Sequence, residues 1–190
     1  MKPAVKAFAW LAIVLVAAGA VVIAYVASAG VSARDEPGAI ETFAARTLRN
    51  FAIARRAPEL SNPIQREPEI IAAGRAHFAD HCAVCHANDG SGDTMFGRGM
   101  WPKPPDLRRE ETQNLSDGEI FYIIENGIRF SGMPGFGTET GEGEKASWHL
   151  VHFIRHLPDI SRPELAEMEK LNPRPAGGEV HHSDPQPHAH

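Results

Sequence analysis

Five consecutive residues, Cys82-Ala83-Val84-Cys85-His86, carry the most specific chemistry in the sequence. Two thiols three positions apart on one helical turn reach the two vinyl groups of a haem and form thioethers. The adjacent His86 imidazole then lies beneath the iron and supplies a nitrogen ligand. These are the only 2 cysteines of the chain, so the motif uses both and leaves none for a disulfide. A thioredoxin-type redox pair needs no following histidine, and its fold needs strands. The sequence shows no run of alternating β-branched residues to make them. A zinc site would require a second ligand pair at suitable spacing, and none is visible.

A haem iron held on one side by histidine can take a sixth ligand on the other. Met95, Met100, Met133 and Met168 follow the motif, together with several histidines. Met133 sits in Ser131-Gly132-Met133-Pro134-Gly135-Phe136, where glycine and proline let backbone pass close to a flat macrocycle with little bulk. Met95 and Met100 come soon after His86 and suit a loop or a wall, and Met168 lies beyond the last core helix. His86 and Met133 are therefore the expected iron ligands, a pairing that raises the potential and suits electron carriage. His149, His152 and His156 share one helix face, and His77 and His81 another. Without converging ligands both are read as solvated faces. His181, His182, His188 and His190 lie in a proline-containing tail that could bind copper, zinc or nickel loosely but has no core to build a folded site.

The elements that must position this group fall into unequal parts. The 190 residues allow one ordinary domain with appendages, and a net charge of −5 without a basic stripe argues against nucleic acid as a partner. The 43% apolar share is concentrated at the N-terminus. From Ala7 to Val31 no residue is charged and 22 of 25 are apolar. As a helix this run extends about 37 Å, enough to cross a hydrocarbon layer of about 30 Å. Trp10 and Tyr25 stand near its ends, as interfacial rings do. Lys2 and Lys6 precede it, while Arg34 is followed by Asp35 and Glu36. The positive-inside bias then leaves residues 1–6 in the cytoplasm and exports everything after the 7–31 span. Ala27-Ser28-Ala29 is also a site of the type signal peptidase cuts. The apolar run exceeds the roughly 7–15 residues of a signal core, which favours a retained anchor.

Within 32–67, Asp35 is the expected cap of an amphipathic helix over 38–56. Its stripe of Ile40, Phe43, Ala44, Thr47, Leu48 and Phe51 is expected to pack on its own domain. Residues 58–68, with three prolines, read as a linker. Residues 68–160 form the expected domain. A helix starts near Pro68, with Ile70, Ile71, Gly74 and Phe78 on one side, and runs to His81-Cys82. Loop follows over 87–114. Ser116 and Glu119 make a capping box for a helix that ends at Asn126-Gly127. A second loop runs from Ser131 to Gly143, and a helix over Lys145–Leu157 buries Trp148, Val151, Phe153 and Ile154. Only 35 of these 93 residues are apolar, so something other than side chains is expected to fill the middle. Residues 161–190 are a short helix from Ser161 to about Leu171 and a disordered, His-rich tail.

Residues 68–160 resemble a class I c-type cytochrome. The likeness rests on Cys82-Ala83-Val84-Cys85-His86, Lys103-Pro104-Pro105-Asp106-Leu107 and Gly132-Met133-Pro134. Gly74 and Phe78 match the family's N-terminal contact positions, and Leu150 and Phe153 match the crossing C-terminal helix. The resemblance implies an all-α, cytochrome c-like helical domain wrapped around one covalently bound haem c, here behind one N-terminal transmembrane helix. It implies a one-electron carrier rather than an enzyme, working between a donor and an acceptor redox protein. With the anchor, that places the haem domain in the periplasm, on the outer face of a bacterial cytoplasmic membrane. A carbonyl from Pro104 or Pro105 would accept the Nδ1–H of His86. Arg98 and Trp101 would belong to the haem environment, with Arg98 the first candidate for a propionate ahead of Arg108 and Arg109. Two other classes remain open: a haem subunit of a respiratory or oxidase complex, and a haem sensor or peroxidase-like protein with a displaceable sixth ligand.

Overall fold

The computed structural model describes residues 3–30, 32, 34–57 and 60–173. Met1 and Lys2 of the expected cytoplasmic segment lie outside them, as do His181, His182, His188 and His190 of the tail. Among the described residues every regular element is helical and there is no strand. The chain divides into two compact units, Met1–Asp35 and Glu36–His190.

The first unit is α1, Pro3–Ala29, which begins before the uncharged run and takes in Lys6. Phe8, Trp10, Leu11, Val14, Ile23 and Tyr25 are all exposed. A helix apolar on every side gains nothing from water and everything from lipid. Residues Pro3–Ser28 are long and apolar enough to cross a membrane, a property shared by anchors and signal sequences.

The second unit opens with α2, Ala39–Arg56. Its cap position is Gly38, not Asp35, and no side chain caps it. Pro37 disfavours the helical region for the residue before it, so Glu36 is a poor first helical residue and Asp35 a poor cap. The stripe of α2 is not packed on the domain as expected. Ile40, Phe43, Leu48 and Phe51 are exposed, and Ile53 is the buried residue, on the side turned to α7. At about 100° per residue, Ile53 lies roughly 140–160° around the helix from Leu48 and Phe51.

The core is built where α3, Pro68–His77, crosses α8, Gly141–His156. Pro68 occupies the first turn of α3, where a missing N–H costs nothing. Thr140 caps α8, its Oγ1 accepting from Gly143 N at 3.2 Å, so the helix starts ahead of the expected Lys145. The two helices touch at Gly74, where any Cβ would overlap the His149 carbonyl. One turn on, the Phe78 and Phe153 rings pack at 5.1 Å. α7, Asp117–Asn126, carries the expected capping box, with Glu119 N donating to Ser116 Oγ at 3.1 Å and Ser116 N to Glu119 Oε2 at 2.7 Å. It joins the core through Phe121, stacked on Trp148 at 4.0 Å.

Two segments expected to be peripheral are tied in. α9, Arg162–Leu171, buries Met168 completely, and Arg75 of α3 bonds its Glu164 at 2.9 Å and Glu167 at 2.5 Å. In the proline-rich stretch, Asn62 Nδ2 donates to the Trp148 carbonyl at 2.9 Å. The Ile64 carbonyl meets His152 Nε2 at 2.7 Å. The histidine face of α8 is therefore not a solvated one. His152 is buried on that carbonyl, and His156 Nε2 sits 2.9 Å from Glu164 Oε1.

Candidate haem site

α3 does not stop at His77. It continues through one π-helical turn, Phe78–Cys82, into α4, Ala83–His86, so both cysteines and the histidine ride on one helical rod. π turns recur at functional sites because the extra residue re-aims the side chains around it. Cys82 and Cys85 are both free. Burial, followed by the neighbouring Cys85, pushes the Cys82 thiol up to about 12, and burial also raises Cys85. Both stay protonated at neutral pH.

The chain after His86 turns sharply. Ala87 has φ 60°, and Gly90 and Gly92 have φ 76° and 75°. Gly92 N donates to the His86 carbonyl at 2.8 Å, and Leu107 N to the Gly90 carbonyl at 2.8 Å. These bonds bring the Pro104-Pro105 segment back onto the motif. A Cβ on Gly92 would lie 2.6 Å from the Pro104 carbonyl oxygen, so only glycine admits that approach. The two prolines thus separate in role: Pro104 packs on Gly92, whereas the Pro105 carbonyl acts on the His86 ring. Burial lowers the His86 pKa, and the Pro105 carbonyl partly offsets this. The ring is neutral at pH 7, as an iron ligand must be. Its Nδ1 is inaccessible to solvent and makes no hydrogen bond of ordinary geometry, with Pro105 as its nearest claim on one.

Met133 comes from a separate loop closed on the end of α7. Ile128 N donates to the Met133 carbonyl at 3.1 Å, Met133 N to Ser131 Oγ at 3.1 Å, and Phe136 N to the Ile124 carbonyl at 2.9 Å. Gly127, at φ 65°, leaves no room for a Cβ, which would sit 2.6 Å from the Met133 carbonyl. The first two bonds close the loop on itself, and the third ties it to α7, not to the Cys82–His86 rod. Met100 reaches the same loop, with its Sδ 2.7 Å from where a Gly132 Cβ would stand. It is a wall residue against the methionine loop, a contact that no sequence signal marked. Met95 is exposed, and Met168 is enclosed in the core on the α9 side.

The polar candidates are already engaged. Arg98, in the short helix α5 (Met95–Arg98), pairs with Asp93, and both are largely exposed. Trp101 is half-buried, with the Lys103 ammonium 4.7 Å from its ring centre. Arg108 bonds Asp106 at 2.8 Å and Asp89 at 3.0 Å, and Arg109 reaches Asp106 at 3.4 Å. The Arg108 hydrogen bond leads in holding Asp106 down to about 2.

These residues fit a haem. Two protonated thiols stand on one rod beside a buried neutral imidazole with an orphaned Nδ1. Val84, Phe96 and Phe130 leave apolar surface exposed on the rod, on α5 and on the methionine loop. Among the described residues no group of three or more His, Cys, Asp or Glu converges as a metal site.

Residues 69–154, a little under half of the chain, match the family described as "Cytochrome C oxidase, cbb3-type, subunit III". No curated protein matches the chain. Among solved structures, one from the reducing HAO-like protein complex of Kuenenia stuttgartiensis is similar at 22% identity and a TM-score of 0.44. That likeness covers 52% of this chain and 49% of the other, so this chain spans about half of its length.

Proposed function

We propose that this chain, whose residues 69–154 form a c-type cytochrome domain, holds one covalently attached haem c between His86 and Met133 and passes electrons singly between redox proteins. The observation that carries the reading is the Cys82–His86 rod with the Pro105 carbonyl turned to a buried, neutral His86. When bound, haem supplies an iron that alternates between ferrous and ferric states. The chain's own residues do the rest. Cys82 and Cys85 offer thiols for thioethers, and His86 presents a neutral nitrogen whose orientation the Pro105 carbonyl constrains. Met133 presents a thioether from a loop held shut by two backbone bonds and the Ser131 hydroxyl. Pro104, by resting on Gly92, keeps Pro105 in place, and Trp101 and Arg98 are assigned to the haem environment. α1 holds the domain on the outer, periplasmic face of a bacterial cytoplasmic membrane.

The purified full chain tests each part. Its mass should equal the polypeptide plus one haem, with residues 1–29 present. The oxidised protein should show a Met–Fe charge-transfer band, and the reduced protein should bind carbon monoxide poorly. Met133→Ala should abolish the band and lower the midpoint potential. A band that survives in that variant and disappears in Met100→Leu would move the sixth ligand to Met100. Full, rapid carbon monoxide binding by the unmodified chain would replace the carrier with a sensor or peroxidase-like protein. A second reading, a haem subunit of an oxidase complex, is favoured by the description of the matching family. Purification in mild detergent separates the two: a carrier emerges alone, and a subunit brings its complex.

A further inference from the structure

We infer that α2 is an interfacial helix, whose exposed stripe of Ile40, Phe43, Leu48 and Phe51 docks into the surface of an anionic bilayer. This deepens the anchored reading, since it assigns the membrane a second contact on the same chain. Four large apolar side chains along one face are exposed, between 60% and 86% each. The opposite side is occupied near the C-terminal end of the helix, where Ile53 is buried, and α2 contacts α7. The helix therefore has one face for its own domain and another on which no described residue of the unit packs.

Three observations select a lipid surface over a protein. The first is charge. α2 carries Arg46, Arg49, Arg55 and Arg56 against the single acid Glu41. Residues 68–160 hold 8 basic and 14 acidic residues, so α2 is a net-positive segment beside a net-negative domain. At about 100° per residue Arg55 borders the stripe and Arg46, Arg49 and Arg56 lie on the polar side. An apolar face backed by a basic polar face is the composition of helices that lie in the headgroup region and prefer anionic lipid. The second is the arginines' engagement. Arg49 bonds only the Asn50 amide oxygen, at 3.1 and 3.2 Å, and the Arg55 guanidinium lies 5.4 Å over the Phe51 ring. A phosphate can displace either contact at little cost. The third is reach. Only residues 30–38 separate α1 from α2, and nine residues fully extended span about 30 Å. If α1 crosses a bilayer, α2 cannot leave its surface by more than that length.

The test uses the full chain in nanodiscs of phosphatidylcholine, alone or with one third phosphatidylglycerol. Spin labels are placed at Phe43→Cys, Leu48→Cys and Arg49→Cys, and the unsubstituted chain, whose own cysteines haem consumes, should take up none. Labels at 43 and 48 should be more accessible to oxygen than to a water-soluble nickel chelate, with the reverse at 49. The contrast should grow with phosphatidylglycerol, by about fivefold in the docked-to-free ratio per arginine. The triple variant R46Q/R49Q/R56Q should lose that lipid dependence. Labels at 43 and 48 as open to nickel as the label at 49 would overturn the proposal. Labels closed to both reagents in lipid and detergent alike would overturn it in favour of a second copy or a partner protein. The mass of the chain reports separately on the anchor: loss of residues 1–29 would end the anchored reading without deciding the labels.

Discussion

α8 and α2 are amphipathic helices of similar length, 16 and 18 residues, and they meet opposite fates. α8 buries seven residues, from Ser147 to Ile154, whereas α2 buries only Ile53. Part of the difference lies in what faces them. Gly74 lets the α3 backbone touch that of α8, so Phe78, Leu150 and Phe153 close completely around the contact. α2 meets α7 through its lesser side, and no glycine opens a comparable approach for its stripe. Periodicity announces that a face wants cover; it does not say what the cover is.

Substitutions can break this contrast or sharpen it. The largest effect is expected at Phe153→Ala, which empties a fully buried site between α3 and α8 and should cost about 3–5 kcal/mol in denaturant unfolding. Gly74→Ala should cost about 1–3 kcal/mol, because the new methyl meets the rigid His149 backbone rather than a movable side chain. Should it prove neutral, the close crossing would not exist in solution. Arg155→Met removes bonds to Asp117 at 2.9 Å and to the Gln113 and Leu115 carbonyls at 2.6 and 2.5 Å, loosening α7 from α8. A loss of about 1–3 kcal/mol is expected, seen also as faster amide exchange near Leu115.

Acid should act more gently and at the other end of α8. Burial works to raise the Glu164 pKa, but the Ser161 hydroxyl and N–H and the His156 ring outweigh it and hold it to about 2. A depressed carboxyl stabilises above its unfolded value, and that contribution disappears as pH falls from about 4.5 toward 2. Amide exchange in α9 should quicken across that window, and Glu164→Gln should flatten the dependence. The smallest effect is expected from Leu48→Ala on α2: within about 0.5 kcal/mol in detergent, since no protein contact is lost there. A loss near that of Phe153→Ala would show that protein covers the α2 stripe after all.

Much of the fold was legible because its signals are local. Ser116 and Glu119 cap a helix whatever surrounds them, since the bonds close within one turn. Gly74, Phe78 and Phe153 were legible by resemblance, and they do meet. The misreadings concern residues whose partners are remote in sequence. His152 looked like part of a solvated face because Ile64, 88 positions away, could not be seen to accept its hydrogen bond. Asp35 looked like a cap because the restraint imposed through Pro37 was given too little weight beside a favoured residue type. Met100 against Gly132 carried no signal at all, as nothing local distinguishes a wall methionine from a loop one.

By itself the sequence determined the Cys82–His86 motif, the capped helices and an apolar segment long enough to cross a membrane, because each depends on neighbours within a few turns. Tertiary structure alone decided which proline faces His86, since Pro104 and Pro105 are adjacent and chemically alike. The contact of Gly92 with the Pro104 carbonyl and the action of the Pro105 carbonyl on the His86 ring tell them apart. It also decided that α2 turns Ile53 inward and its larger stripe outward. Which side of an amphipathic helix is covered depends on the shape of what it packs against, and that shape is made by residues remote in sequence.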